Sequence, residues 1–225
     1  MTQKIGLKDF VDIVVGTPGR IINYIKKKHL KMGLVKVLCV DEADKLLEMG
    51  FEAQLRSICG QIRPDRITAM FSATFKPNVR DLARDLLVNP LRINVGRIGA
   101  VNTDILQVPV ILEREQHKLV WLGNKLPQLI QQGGVLIFVA QKATADEVED
   151  VLKEMGFHVA ALHGGKVQAT RKKIHFAFKH GQLSVLVATD VASRGLDIST
   201  IKSVIQYDKP KSIEIYTHRV GRTGR

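Results

Sequence analysis

Val35-Lys36-Val37-Leu38-Cys39-Val40-Asp41-Glu42-Ala43-Asp44 sets a short apolar run directly against three carboxylates. A β-branched run of this length reads as a buried strand. In open α/β sheets, ligands bind beyond the carboxyl ends of the strands, where Asp41 and Glu42 fall. Mg²⁺ takes oxygen ligands, usually one or two carboxylates with waters and phosphate oxygens. Asp41 can therefore hold the ion through a bridging water, while Glu42 acts on an attacking water. The bland alternative is an acidic helix start, because carboxylates favour the positive end of the helix dipole. Far along the chain, His218-Arg219-Val220-Gly221-Arg222-Thr223-Gly224-Arg225 combines three arginines with two glycines. Charge and close backbone approach are what phosphate recognition uses. The two stretches together predict nucleotide hydrolysis across a cleft between two halves. No phosphate-cradling G-x-x-x-x-G-K-[ST] loop occurs in the 225 residues.

Further apolar runs extend the pattern. Residues 11–15, 35–40 and 67–71 read as strands in the first half, and 135–139, 159–162, 185–188 and 204–205 in the second. Continuous apolar runs, rather than polar alternation, predict parallel strands covered on both faces. Helical segments lie between them. Thr144-Ala145-Asp146-Glu147 reads as a capping box whose helix stops near Gly156. Pro77 suits a first helical position, and a helix from Gln168 to Lys179 ends at Gly181. Strand–helix alternation predicts doubly wound α/β sheets. The pattern lapses over residues 96–104, which reads as a linker. Three strands are few for such a sheet, so the first lobe is expected to be incomplete.

Composition excludes other classes. The net charge is +12, with 17 Lys and Arg against 10 Asp and Glu in residues 1–97 and 17 against 12 in residues 98–225. An excess shared by both halves suits a polyanion lying across them; a merely basic surface is the alternative. Aromatic residues make up 5%, which does not indicate a base-stacking platform. Nothing approaches a membrane span or a signal peptide. Cys39, within an apolar strand pattern, and Cys59, within a helical one, fit buried thiols in a reducing compartment, and their spacing is not that of a zinc site.

Smaller motifs each carry two readings. Ser72-Ala73-Thr74 can cap the following helix or hydrogen-bond a neighbouring carboxylate. Thr17-Pro18-Gly19-Arg20 opens a helix and can receive phosphate, or it is an ordinary turn. Thr189-Asp190 and Arg194-Gly195-Leu196-Asp197 follow a strand and offer groups for phosphate and ribose. Lys26-Lys27-Lys28 and Lys172-Lys173 fall on predicted helices and read as solvated faces that add non-specific attraction for a polyanion. His29, His117, His158, His175 and His180 have no paired spacing and read as structural or surface residues.

In this order the motifs resemble those of the DEAD-box ATP-dependent RNA helicases, over essentially the whole chain. Thr17–Arg20 resembles the TPGR motif, Asp41–Asp44 the DEAD box and Ser72–Thr74 the SAT motif. Val135–Val139 resembles the strand of motif IV, Gln168 with Arg171 the QxxR motif, Val187–Asp197 motif V and His218–Arg225 motif VI. The resemblance implies two RecA-like lobes that close on ATP–Mg²⁺ and single-stranded RNA and separate a duplex locally. It implies domains at 1–96 and 107–225 joined by a linker at 97–106. Asp41 would position Mg²⁺, Glu42 would activate the water, and Arg222 and Arg225 would be arginine fingers. Ser72 and Thr74 would link Asp44 to lobe closure, with His218 and Arg219 in the same coupling role. Asp197 and Gly195 would lie at the nucleotide. Thr17, Arg20, Gln168, Arg171, Thr189 and Gly195 would lie along the RNA backbone, where contacts carry no sequence information.

The resemblance further implies a nuclear or cytoplasmic protein, and residues 71–93 and 195–208 are similar to splicing-associated members, so ribonucleoprotein factors are expected partners. The family's adenine-reading Q motif, Walker A loop and early RNA-binding segments have no counterpart before Met1, and family members continue beyond the position of Arg225. The leading expectation is an RNA-stimulated ATPase and helicase of which this is an incomplete copy. The alternatives are an ATP-independent RNA-binding fragment and an inactive truncated product with exposed sheet edges.

Overall fold

Parallel strands order both halves of the chain. The computed structural model describes residues 11–95, 102–191 and 198–224, and the chain divides into two compact units, Met1–Ile98 and Gly99–Arg225. In the first unit, α1 (Pro18–Lys26), β1 (Val37–Val40), α2 (Ala43–Glu48), α3 (Glu52–Cys59), β2 (Ile67–Met70) and α4 (Pro77–Leu86) follow one another. β1 and β2 pair in parallel, with Val37 opposite Ile67 and Val40 opposite Met70. Val40, Ala43, Leu55, Cys59, Leu82 and Leu86 form the core beneath them. Pro77 opens α4 as its sequence position predicts, consistent with a ring that presets φ and a missing N–H that the first turn does not need.

The second unit runs α5 (His117–Ile130), β3 (Gly134–Val139), α6 (Lys142–Glu154), β4 (Val159–Leu162), α7 (Gln168–Lys179), β5 (Val185–Thr189), β6 (Ile201–Gln206) and α8 (Ile213–Val220). Its sheet has the order β4-β5-β3-β6, with every pair parallel. Successive side chains of a strand point to opposite faces, and β3 shows both. Val135, Ile137 and Val139 pack with Leu122 and Leu126 of α5 and Val148 and Leu152 of α6. Leu136 and Phe138 pack on the other face with Phe178 of α7 and Leu186 of β5. This two-sided burial is why these runs are continuously apolar.

Three expectations are corrected. Residues 11–15 form no strand, and Ile13 and Val15 are 81% and 93% exposed. β propensity needs a neighbouring strand to satisfy the backbone, and among the described residues only β1 and β2 make up this sheet. Thr144 and Glu147 form no capping box. α6 already starts at Lys142, with an extended Gln141 as its N-cap, so Thr144 lies inside the helix. Cys59 is buried but Cys39 is exposed, because β1 covers only one face of its alternating residues. Part of the expected linker, residues 97–101, lies outside the described residues. Among the described residues, no helix is long and apolar enough to cross a membrane.

Candidate functional site

In the first unit, the parallel register of β1 and β2 brings their carboxyl ends side by side. The ladder continues one step past the strands, with Phe71 N–H donating to the Val40 carbonyl at 2.8 Å and Ala43 N–H donating to the Phe71 carbonyl at 3.0 Å. Asp41 is exposed there, and its Oδ1 accepts the Glu42 N–H at 2.9 Å. Glu42 sits in the left-handed region, φ 50° and ψ 49°. A residue with a side chain in this region is uncommon outside Asn, Asp and His, and such strain gathers at functional sites. The turn sends Asp41 and Glu42 out of the strand end just as α2 begins.

Asp44 has the opposite environment, with 4% exposure. Its Oδ2 accepts from Thr74 N–H at 3.1 Å and from the Thr74 hydroxyl at 2.9 Å, and its Oδ1 accepts from Lys45 N–H at 3.0 Å. The Ser72 hydroxyl accepts the Asp44 N–H at 3.3 Å and donates to the Thr74 carbonyl at 2.7 Å. Of the two readings of these hydroxyls, the structure has the bond to a carboxylate for Thr74, while the Ser72 hydroxyl bonds backbone groups. α4 has no side-chain cap, and its N-cap is Lys76. Thr17 is the N-cap of α1, again without a side-chain bond, and Thr17 and Arg20 are both exposed. They open a helix whose buried face meets Ile58 and Ile62.

In the second unit, Thr189 is buried at the end of β5. Asp190 follows it, and both its carboxylate oxygens accept from Arg219, at 2.6 Å from Nε and 2.9 Å from Nη2. Arg219 is 2% exposed. Its Nη1 donates to Gln206 Oε1 at 3.0 Å and to the Asp208 carbonyl at 2.8 Å, and its guanidinium lies 5.1 Å from the Phe138 ring centroid. Asp208 Oδ2 in turn accepts the Ala140 N–H at 2.7 Å. One arginine thus ties α8 to the carboxyl ends of β3, β5 and β6. The Asp190 carboxylate, read from sequence as a phosphate or ribose contact, is engaged by this arginine instead. Parallel pairing brings those ends together, and a buried guanidinium needs its donors satisfied.

Arg222 is partly buried and its Nε donates to the His218 carbonyl at 3.3 Å. Gly224 has φ +71°, and a Cβ there would lie 2.7 Å from Ile105 Cγ1. That glycine is required by its own turn and packing. Gln168 is the exposed first residue of α7, and Arg171 Nη1 donates to its Oε1 at 3.2 Å. Gly195, Asp197 and Arg225 lie outside the described residues. Among the described residues, no group of three or more His, Cys, Asp or Glu side chains is arranged to hold a metal. Mg²⁺ does not demand such a cage, since one or two carboxylates suffice when phosphate and water complete the shell. Exposed Asp41, with one oxygen tied to Glu42 N–H, fits that role.

A second polar network has no counterpart in the sequence reading. His163 is buried just after β4; its Nδ1 accepts the Gly165 N–H at 3.2 Å, so its Nε2 carries the proton donated to Asp146 Oδ1 at 3.0 Å. Lys166 bridges Asp146 at 3.1 Å and Glu149 at 2.9 Å, and Lys153 binds Glu149 at 2.6 Å. Burial raises the Glu149 pKa, but bonds from Lys153 and Lys166 outweigh it and hold the carboxyl below its usual range. Asp146 is lowered too, with burial outweighed by His163 and Lys166. The i, i+3 spacing of Asp146 and Glu149 was the available signal; what they face was not legible.

Comparison with known proteins places these motifs in context. Residues 1–82 match the family described as DEAD/DEAH box helicase, and residues 119–225 match the helicase conserved C-terminal domain. The DEAD-box ATP-dependent RNA helicase 24 of Oryza sativa subsp. japonica is 51% identical over 97% of this chain, which spans 28% of that protein. The ATP-dependent RNA helicase DDX42 of Homo sapiens is 47% identical over 99% of this chain and 24% of its own length. The chain therefore spans about a quarter of the length of these curated relatives. Among solved structures, S. cerevisiae Dbp5 bound to RNA and ADP BeF3 matches with TM-score 0.84 and 32% identity, covering 94% of this chain and 56% of that one. The yeast DEAD-box splicing factor Prp28 matches with TM-score 0.52 and 32% identity, covering 100% of this chain and 50% of that one.

Proposed function

The chain belongs to the DEAD-box ATP-dependent RNA helicases, and from that premise we propose that it binds ATP and single-stranded RNA and couples hydrolysis to local RNA unwinding. The observation that carries this is the Asp41–Glu42 pair at paired strand ends, braced by the Asp44–Ser72–Thr74 bonds. Dbp5, the structural neighbour, is bound to RNA and ADP BeF3, the two ligand classes proposed here. Residues 1–96 form the first RecA-like lobe of this proposal and 107–225 the second, with 97–106 as linker.

Asp41 would hold Mg²⁺, and Glu42 accepts a proton from the attacking water. When bound, Mg²⁺ supplies positive charge to phosphate oxygens. Arg222 and Arg225 neutralise charge developing on the terminal phosphate, a contribution of roughly 10³–10⁵ in rate for arginine fingers. Asp44, Ser72 and Thr74 transmit the state of the strand ends to lobe closure. Arg219 serves the same coupling by holding α8, and with it His218 and Arg222, against the sheet; its buried bonds support a positioning role. Gly195 and Asp197 contact the nucleotide. Thr17, Arg20, Gln168, Arg171, Thr189 and Gly195 track the RNA backbone. A nuclear or cytoplasmic site of action and splicing or ribonucleoprotein partners complete the reading, the splicing link being supported by the likeness to the splicing factor Prp28.

A second reading, RNA binding without turnover by these 225 residues, is favoured by the absence from them of a G-x-x-x-x-G-K-[ST] loop, whose backbone N–H groups cradle phosphates. RNA-stimulated phosphate release separates the two. Turnover that Glu42→Gln abolishes while nucleotide binding persists supports hydrolysis with Glu42 as the base. Turnover unchanged in that variant removes Glu42 from the role, and RNA binding without any turnover selects the second reading.

A further inference from the structure

The outward face of α7 carries a stripe of which the proposed site uses only the first residue, Gln168. Gln168, Lys172, His175, Phe176 and Lys179 recur at i, i+4, i+7, i+8 and i+11, the spacing that keeps side chains on one helix face. Gln168, Lys172, Phe176 and Lys179 are exposed, and Phe176 is 56% exposed despite its size. The opposite face, with Phe178 and Ile174, packs into the core. Just past the helix, His180 stacks on Phe176 with ring centroids 4.0 Å apart and planes 29° apart, and its Nδ1–H donates to the Phe176 carbonyl at 2.9 Å. α7 contains no acidic residue. The overall scarcity of aromatic residues hides this local pair.

We propose that this stripe is a second RNA-binding surface, which extends the path of a single strand from Gln168 along α7 and stacks an unpaired base on the Phe176–His180 pair. The inference rests on the RNA-binding reading, since Gln168 is where the two surfaces meet. At 1.5 Å per residue, the stripe continues the track by about 16 Å. Cations that meet phosphates beside a flat ring that accepts a base face are the two elements of sequence-tolerant single-strand binding. A solvated basic face would need no exposed phenyl ring. An acidic protein segment would match the lysines, but continuity with Gln168 and a stacked ring pair favour RNA.

The test is fluorescence anisotropy of this chain with labelled oligouridylates of about 6 and about 16 nucleotides, across a salt series, with and without a non-hydrolysable ATP analogue. The longer strand is expected to bind more tightly than its extra registers alone explain. Lys172→Gln with Lys179→Gln should reduce the magnitude of the salt slope on the long strand by about 1.4, at about 0.7 per phosphate contact. Phe176→Ala should weaken the long strand roughly five-fold or more, and Phe176→Tyr, which keeps a ring, should restore it. Lys173 lies off the stripe, so Lys173→Gln should change the slope less than Lys172→Gln does.

Equal losses on short and long strands, or equal effects of Lys173→Gln and Lys172→Gln, overturn the extension while leaving the RNA-binding reading in place. Stripe variants that lose binding to a labelled oligoglutamate peptide but not to the long strand overturn it in favour of an acidic protein partner. Failure of the unsubstituted chain to bind any oligouridylate removes the RNA-binding reading and the extension with it.

Discussion

Asp41 and Asp44 stand three residues apart and answer to different forces. Asp44 is a charge at 4% exposure held by three donors, whereas Asp41 is exposed at the strand end. Removing a donor to a buried carboxylate forfeits a charge-assisted bond and leaves desolvation uncompensated. Thr74→Val, nearly isosteric, should therefore cost about 2 kcal/mol of stability, read by urea denaturation. Asp41→Asn should stay within about 0.5 kcal/mol while abolishing any Mg²⁺-dependent turnover. Equal stability losses in the two variants would show that Asp41 is structurally engaged as well. The sequence identifies both carboxylates as candidates, but only the register of β1 against β2 brings Thr74 to Asp44 across 30 residues of chain.

At the scale of elements, α6 shows how a local signal is outweighed. Its Thr144–Glu147 spacing satisfies the capping-box pattern, yet the helix starts earlier and its first turns face the loop after β4. There Asp146 and Glu149 hold His163 and Lys166, fixing the approach to Gln168 at the start of α7. Both carboxyls have lowered pKa values in the folded chain. Their contribution is fully present above the unfolded carboxylate range, about pH 4, and is lost as pH falls through the folded values. Glu149→Gln should cost about 2 kcal/mol at pH 7 and flatten the loss of stability below about pH 4. Chemical denaturation at neutral and acid pH checks this; an unchanged acid limb would exclude Glu149 as a source of it. Asp146 is half-exposed, so solvent screening reduces its share.

At the scale of the molecule, the two units differ in how completely their sheets are covered. Every residue of β5, and every residue of β3 after Gly134, is buried, whereas β1 and β2 expose Val37 and Ile67. Fully burying a side chain such as Ile137 or Leu186 contributes about 1.5–3 kcal/mol, and amides beneath such layers exchange only through larger openings. Amides of β3 and β5 should thus exchange with deuterium at least ten-fold more slowly than those of β1 and β2, an about 1.4 kcal/mol difference in opening. Comparable rates in the two sheets would mean that they open as one unit.

The sequence by itself determined the parallel α/β architecture, the strand-end position of Asp41 and Glu42, and the family, because apolar periodicity and ordered motifs are local properties of the chain. It also marked the helices from Pro77 and Gln168, whose ends are set by neighbouring residues. Tertiary structure alone decided that residues 11–15 form no strand, since a strand exists only through its partner's hydrogen bonds. It decided as well that Arg219 ties α8 to three strand ends and that Phe176 and His180 stack on an exposed basic face. Those outcomes depend on which strands lie side by side and which helix face the core covers, and both are settled by packing between residues distant in sequence.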